Sequence, residues 1–200
     1  MKKVLLSVAA LLAFGMASAQ DDKAAEGGKG FSNGDIFMTG AVGISSEKTG
    51  DVKTTDFTIA PSVGMFVSDN IAVGLQVGFS SSKEENPPAE DLKTTMFMVG
   101  AFGRYYTTPK NDFSFFAQLG VMYGTQKVEQ DPNELKTNVF GASLTPNISY
   151  FVSEHFALEA GFGALSYSNS KPDVDGAEST NNFELGLDLT SINFGLTYKF

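Results

Sequence analysis

Apolar and polar residues alternate with a period of two along most of the chain from Gly34 onward. In each of eight segments, every second residue is apolar or aromatic, and the residues between them are small or polar. The segments are 36–44, 57–67, 71–79, 97–105, 113–123, 140–150, 156–164 and 192–200. No sustained stripe of helical period accompanies them. The pattern predicts an all-β fold of eight antiparallel strands.

Two architectures produce this alternation. A soluble sandwich or barrel buries the apolar face, whereas a membrane barrel turns that face to lipid and fills a narrow lumen with small and polar side chains. The polar face here is rich in glycine and alanine and carries few lysines or glutamates, which favours the membrane barrel. Aromatic residues also gather at both ends of the segments, as in interfacial girdles. They are Tyr105, Tyr106, Tyr150, Tyr198 and Phe200 at one end, and Phe57, Phe79, Phe97, Tyr123 and Phe140 at the other.

The connections between the segments alternate in length. Short turns occur at 68–70, 108–112 and 153–155, and longer polar loops at 46–56, 82–94, 126–137 and 168–182. In outer-membrane barrels the short turns face the periplasm and the long loops face the outside. Acidic residues outnumber lysines in the long loops, so the sequence predicts an acidic outer rim.

Two irregularities interrupt the pattern. Pro61 and Pro146 fall inside strands, where a proline cannot donate a ladder hydrogen bond, so we expect bulges or local distortion there. In the last segment the apolar positions are odd-numbered over 183–189 and even-numbered over 192–200. A bulge near Thr190 and Ser191 would reconcile the two.

The N-terminus has the features of an export signal. A basic start at Lys2 and Lys3 precedes an apolar run over 4–13, and Ala17 and Ala19 supply small residues at the cleavage positions. The alternative is a membrane-anchoring helix, but the apolar run is short and no stop-transfer cluster follows at once. The sequence predicts a cleavable signal peptide over 1–19, a flexible periplasmic lead-in over 20–33 and a barrel domain over 34–200.

Composition excludes several kinds of chemistry. The 200-residue chain has a formal net charge of −9, one histidine and no cysteine. Such an acidic chain lacks the basic face that nucleic-acid binding needs, and without cysteine it has neither thiolate zinc sites nor a cysteine nucleophile. The single histidine, His155, lies in a short turn. We therefore predict no catalytic residues, no metal site and no cofactor.

The inward positions predict a polar network in the lumen. Arg104, Gln118 and Glu159 fall on the inward face at similar heights, with Gln76 on the same face and Lys199 nearer the periplasmic rim. An unpaired charge in a narrow barrel is costly, so Arg104 is expected to pair with Glu159. Bulky residues also point inward and favour a plugged lumen over a channel that selects small solutes. They are Phe37, Phe66, Phe102, Phe116, Met98 and Met122.

Three stretches carry a resemblance to a known group of proteins. They are Pro61 to Asn70 (PSVGMFVSDN), Gly103 to Tyr106 (GRYY) and the C-terminal NFGLTYKF over 193–200. With them, the mature chain resembles the small eight-stranded outer-membrane β-barrel proteins of Gram-negative bacteria, the porin-family or outer-membrane-protein β-barrel domain. The resemblance implies contact with outer-membrane lipid and lipopolysaccharide. It also implies insertion by the β-barrel assembly machinery, through a C-terminal signal made by Phe194, Leu196, Tyr198 and Phe200.

The function expected from these observations is non-enzymatic. The acidic loops would give the protein a structural or surface-interaction role, with an unidentified loop ligand as partner, above a plugged polar lumen. A narrow porin-like channel for small solutes is the alternative. The remote alternative is a lipid-modifying outer-membrane enzyme. Such enzymes typically use a histidine at the outer rim, whereas His155 lies in a short turn and is therefore expected at the periplasmic rim.

Overall fold

The computed structural model describes residues 28–162, 164–186 and 193–200, and the predicted signal peptide lies outside them. These residues form ten strand segments, and no helix among them is long and apolar enough to cross a membrane. The segments are β1 (Ile36–Thr49), β2 (Val52–Phe66), β3 (Ile71–Glu85), β4 (Leu92–Tyr106), β5 (Phe113–Gln130), β6 (Asn133–Phe151), β7 (Phe156–Gly161), β8 (Ala164–Pro172), β9 (Thr180–Gly186) and β10 (Asn193–Lys199).

The strands close into a barrel. From β1 to β6 each strand pairs antiparallel with the next, and β6 then pairs with both β7 and β8. β9 pairs with β8, and β10 pairs with β7 on one side and with β1 on the other. Because β7 and β8 form the seventh strand and β9 and β10 the eighth, the prediction of an eight-stranded antiparallel barrel is confirmed.

The outer face of the barrel is apolar, as the alternation predicts. Leu75, at the middle of the apolar run 71–79 of β3, is 64% exposed, and the apolar residues at alternate positions of the neighbouring strands are exposed with it. A continuous apolar belt of this extent requires a lipid environment. From Phe140 to Tyr150 the chain rises roughly 33 Å along the strand, and at a tilt of about 40° this matches the roughly 25 Å apolar band of such barrels.

Three of the four outer connections are hairpins of continued strand, where the sequence analysis expected loops. The β5–β6 ladder extends to the pair Gln130 and Asn133, and the β1–β2 ladder to Thr49 and Val52. The expected loops 46–56, 82–94 and 126–137 are therefore mostly strand. Apolar alternation ends where the lipid ends, but backbone pairing continues beyond it. The fourth connection leaves only residues 173–179 between strands.

A bulge or local distortion was expected at Pro61, but β2 has no extra residue there. The β2–β3 ladder omits Ala60 and Pro61, but the register is the same on either side, with Ile59 opposite Phe79 and Ser62 opposite Gln76. β2 therefore continues without a bulge.

Near Pro146 the register between β6 and the facing seventh strand changes by one residue. Leu144 pairs with Leu165 and Asn147 with Gly161, so between these two pairs the seventh strand has one residue more than β6. The extra residue reverses the side-chain parity, and outward positions change from even in β7 to odd in β8. In the eighth strand the exposed side chains also change parity as predicted, from Phe183 and Leu185 to Phe194 and Leu196. The bulge predicted near Thr190 and Ser191 lies outside the described residues.

The lipid-facing assignment predicts a position-dependent effect of a buried charge. Replacing Leu75 by Arg places a guanidinium near the bilayer midplane and is expected to lower the free energy of unfolding by about 2–4 kcal/mol. The measurement is urea unfolding of the barrel refolded in lipid vesicles.

The matched control for this experiment is Val174→Arg. Val174 is 58% exposed in the 173–179 loop, so its replacement is expected to leave the free energy of unfolding nearly unchanged. Equal losses for the two variants would contradict the assignment of the β3 outer face to lipid.

Candidate functional site in the barrel lumen

Arg104 lies inside the lumen, two residues from the periplasmic end of β4, and is 5% exposed. Its Nε donates a hydrogen bond to Gln118 Oε1 at 2.7 Å, and its Nη1 donates to Glu159 Oε1 at 3.0 Å and to the Tyr106 hydroxyl at 3.1 Å. These partners lie on β4, β5 and β7. Hydrogen bonds from one guanidinium therefore connect three strands across the interior.

Three aromatic rings surround the same guanidinium. The Cζ atom of Arg104 lies 5.0 Å from the ring centroid of Phe37 and 4.9 Å from those of Phe102 and Phe116. A cation over the face of an aromatic ring is attracted by the ring quadrupole, most strongly where water is excluded. Arginine suits this position because its planar group can stack on rings and donate in-plane hydrogen bonds at once. We call Arg104, Gln118, Glu159, Tyr106 and the three rings the Arg104 cluster.

Small residues on the neighbouring strands make room for these rings. A Cβ atom on Gly74 would collide with the Phe102 ring, and one on Gly64 would collide with the Phe37 ring. Glycine is a poor residue for a β-strand interior. Here Gly64 and Gly74 are needed because a larger residue would occupy the space of the Phe37 and Phe102 rings.

Below this cluster, toward the periplasmic turns, the segment 28–31 enters the barrel mouth; we call it the stopper. Phe31 is 1% exposed, and its ring lies 4.7 Å from the Phe66 ring and 4.8 Å from the Phe151 ring. Its backbone N–H donates to the carbonyl of Pro109 at 2.7 Å. The stopper thus fills the periplasmic end with an aromatic side chain held by a turn.

Two further features hold the stopper in place. Gly30 has φ +106°, a conformation that favours glycine, and a Cβ there would collide with the backbone of Pro109 and Lys110. Lys199 Nζ donates to the carbonyls of Gly28 at 3.0 Å and Gly30 at 2.7 Å. Of the lead-in predicted to be flexible over 20–33, residues 28–31 are therefore fixed to the barrel; residues 20–27 lie outside the described residues.

The predicted network residues divide into three groups. Arg104, Gln118 and Glu159 are in contact, as described above. Lys199 instead binds the stopper at the periplasmic rim, and Gln76 lines a cavity on the outer side of the Arg104 cluster. Among the described hydrogen bonds, neither Lys199 nor Gln76 bonds to Arg104.

Sequence reasoning missed two members of the packed lumen. Tyr106 was assigned to an interfacial girdle, and this is wrong, because it is buried and bonded to Arg104. Its even number places it on the inward side of β4 with Arg104, so the period of two carried the signal. Phe31 was missed because nothing in a glycine-rich segment marks one phenylalanine as buried.

A cavity of about 310 Å³ lies on the outer side of the Arg104 cluster. Gln118 lines it and also accepts the Arg104 hydrogen bond, so the cavity ends on the cluster. The lining consists of Thr58, Ala60, Pro61, Ser62, Gln76, Val77, Gly78, Phe79, Ser80, Met96, Met98, Gln118 and Met122.

Two other polar groups bear on possible chemistry. His155 lies in the turn before β7, where its Nδ1 is 2.9 Å from the carbonyl oxygen of Lys199, at the periplasmic rim. Ser149 is buried beside Glu159 in the β6–β7 ladder, and its hydroxyl has no hydrogen-bond partner among the described residues. Over the same residues, no group of His, Asp and Glu side chains is arranged to hold a metal ion.

Ion pairs join the strands of the outer hairpins. Lys83 Nζ lies 2.7 Å from carboxylate oxygens of both Glu85 and Asp91, and Lys127 Nζ lies 2.7 Å from Glu129 and 2.9 Å from Glu134. Hydrogen bonds from Lys127 and then Lys136 lower the pKa of the Glu134 carboxyl. These exposed pairs hold the hairpin shape and contribute little each to stability.

The closed barrel with its apolar belt and packed lumen defines an integral outer-membrane β-barrel protein. The chain belongs to the outer membrane protein beta-barrel domain family, whose model matches residues 6–200. The protein is thus an outer-membrane protein of the kind that the sequence resemblance implied.

Solved structures of three bacterial barrels are similar to this chain. The N-terminal β-barrel domain of Pseudomonas aeruginosa OprF has 11% identity and a TM-score of 0.48, covering 85% of this chain and 100% of its own. Neisserial surface protein A has 16% identity and a TM-score of 0.45, covering 83% and 96%. The outer membrane protein OprG of Pseudomonas aeruginosa has 17% identity and a TM-score of 0.49, covering 86% and 99%. No curated protein sequence matches the chain.

The buried ion pair predicts a non-additive loss of stability. Replacing either Arg104 or Glu159 by Ala leaves the other charge buried without its partner, and each change is expected to lower the free energy of unfolding by about 3–5 kcal/mol. Replacing both removes the charges together, so the double variant should lose less than the two single losses combined.

The measurement is a double-mutant cycle by urea unfolding in detergent. Glu159→Gln is the matched control, because it keeps the shape and an acceptor oxygen while removing the charge. Additive losses would mean that Arg104 and Glu159 do not stabilise each other.

Proposed function

We propose that this protein is a non-enzymatic outer-membrane barrel with a closed lumen, which acts through its acidic outer hairpins and as a structural element of the envelope. The observation that carries the proposal is the filling of the lumen at two successive levels. The Arg104 cluster fills the lumen near the periplasmic ends of the strands, and the stopper fills the mouth directly below it.

The contacts of these two levels leave little room for a solute. The Arg104 cluster has side chains from β1, β4, β5 and β7, and Phe31 packs against rings at the periplasmic ends of β2 and β6. The interior of an eight-stranded barrel is just wide enough for side chains. A passing ion would have to separate Arg104 from Glu159 and then displace Phe31.

The outer hairpins suit a surface role. They extend as paired strands beyond the apolar belt, and ion pairs cross two of them, the β3–β4 and β5–β6 hairpins. Acidic residues outnumber lysines along them, so they present a preformed negative surface outside the membrane. Such a surface supports contact with a partner that carries positive charge, and lipid and lipopolysaccharide cover the belt below.

The position of the only histidine argues against the lipid-modifying alternative. His155 lies at the periplasmic rim with its Nδ1 against a backbone carbonyl. Lipid and peptide substrates reach such a barrel at the opposite rim. The exposed alternate residues Phe194 and Leu196 of β10 support the proposed role of the C-terminal strand as the signal for the β-barrel assembly machinery.

Ion conductance in a planar bilayer tests the closed lumen. The refolded mature chain, shown to be folded by heat-dependent migration on a gel, is expected to give no discrete conductance steps. The narrow-channel alternative predicts steps that change when Arg104 is replaced by Ala, and that result would overturn the proposal.

A variant with an emptied lumen shows that the assay can detect conduction. Phe31→Ala, Arg104→Ala and Glu159→Ala together remove the stopper ring and the ion pair, and this triple variant is expected to produce steps. A folded triple variant that stays silent would mean that other side chains close the lumen and that the assignment to these two levels is wrong.

A further inference from the structure

Three methionines line the cavity on the outer side of the Arg104 cluster. Met96 and Met98 lie two residues apart on the inward face of β4, and Met122 lies on the inward face of β5. The other two methionines in the described ranges, Met38 and Met65, lie on outward positions, and Met65 is 44% exposed. The methionines on the inward face are thus gathered in one place.

The Met122 side chain reaches across β4 to the strand that pairs with it on the other side, β3. Its Cγ lies 2.9 Å from the place that a Cβ would take on Gly100, and its Cε lies 3.6 Å from the corresponding place on Gly78. Gly78 is the direct cross-strand partner of Met98. Met122 therefore crosses β4 over Gly100 and ends over Gly78 of β3, the residue directly opposite Met98, and the glycines at both positions leave it the room.

Packing alone does not account for this choice of residue. Methionine often fills irregular gaps in apolar cores, but here the three side chains line one side of a space of about 310 Å³ that remains open. The lining contains polar serine, threonine and glutamine residues and, among the residues that the structure describes, no leucine or isoleucine. Ala60, Pro61, Val77 and Phe79 complete the wall, and the methionines are its soft donor residues.

The donor set selects a particular class of ion. Thioether sulfur is a soft neutral ligand that favours monovalent copper over hard divalent cations. No carboxylate is among the described residues that line the cavity, so Mg²⁺ and Ca²⁺ lack their preferred ligands. The nearby charge of Arg104 is paired with Glu159 at 3.0 Å, so it opposes a monovalent cation only weakly.

We propose that this cavity is a binding site for a soft monovalent metal ion, Cu(I), with the thioethers of Met96, Met98 and Met122 as ligands. Gln76 and Gln118 line the same space, and the Oε1 atom of Gln118 accepts its hydrogen bond from Arg104. The site faces the outer half of the lumen, so it does not depend on whether the barrel conducts.

Silver ion is the probe, because Ag⁺ has the same charge and softness and does not change oxidation state under these conditions. The barrel is refolded in detergent with ¹³C-labelled methionine methyl groups and titrated in chloride-free buffer. The expected result is a shift of the Met96, Met98 and Met122 methyl signals that is complete at one equivalent of Ag⁺, with Met38 and Met65 unchanged. Calorimetry is expected to give one site per chain.

Substitution separates this site from adventitious binding. Met98→Leu and Met122→Leu conserve volume and should fold, as heat-dependent gel migration checks, and each is expected to weaken Ag⁺ binding by about tenfold or more. Met65→Leu is the matched control and should bind as the unaltered chain does. The proposal is overturned if Ag⁺ does not bind, if Met98→Leu leaves the affinity unchanged, or if the shifted signals are those of Met38 and Met65.

Discussion

The buried guanidinium of Arg104 is the group on which the rest of the lumen depends. A charge in a dry, narrow interior is tolerated only when it is paired and hydrogen-bonded, and Arg104 takes those partners from three strands. The pairing also fixes the register. Because side chains alternate along a strand, a slip of one residue in β4 would move Arg104 from the lumen to the lipid.

The same period of two connects the membrane belt, the packed lumen and the surface. Outward residues anchor the barrel in lipid, and inward residues form the Arg104 cluster and the methionine-lined cavity. The stopper links the last strand to the segment before the first, since Lys199 of β10 donates hydrogen bonds to the carbonyls of Gly28 and Gly30. The barrel is thus closed at its seam and at its periplasmic mouth by residues distant in sequence.

Physical reasoning explains which features could be predicted from the sequence. The number of strands, the outward face and the inward position of Arg104 and Glu159 follow from alternation alone. The hairpins extended further than expected because backbone pairing between Thr, Ser and Lys residues leaves no apolar pattern. The burial of Phe31 could not be predicted, because it depends on a backbone hydrogen bond to Pro109 in the turn between β4 and β5. The alternation of side chains gives no information about contacts between these two segments. Lys199 was predicted to be inward, but its partners are backbone carbonyls, and these have no sequence signal.

The central claim, that packed side chains exclude water from the lower lumen, is tested most directly by thiol accessibility. The chain has no cysteine, so each introduced thiol reports alone. Ser149→Cys is nearly isosteric and loses no hydrogen bond described in the structure, and Ser32→Cys is the exposed control. The account predicts that a small charged thiol reagent modifies the folded Ser32→Cys variant rapidly and the Ser149→Cys variant only after unfolding in urea. Rapid modification of the folded Ser149→Cys variant would show that water fills the lumen and would contradict the account.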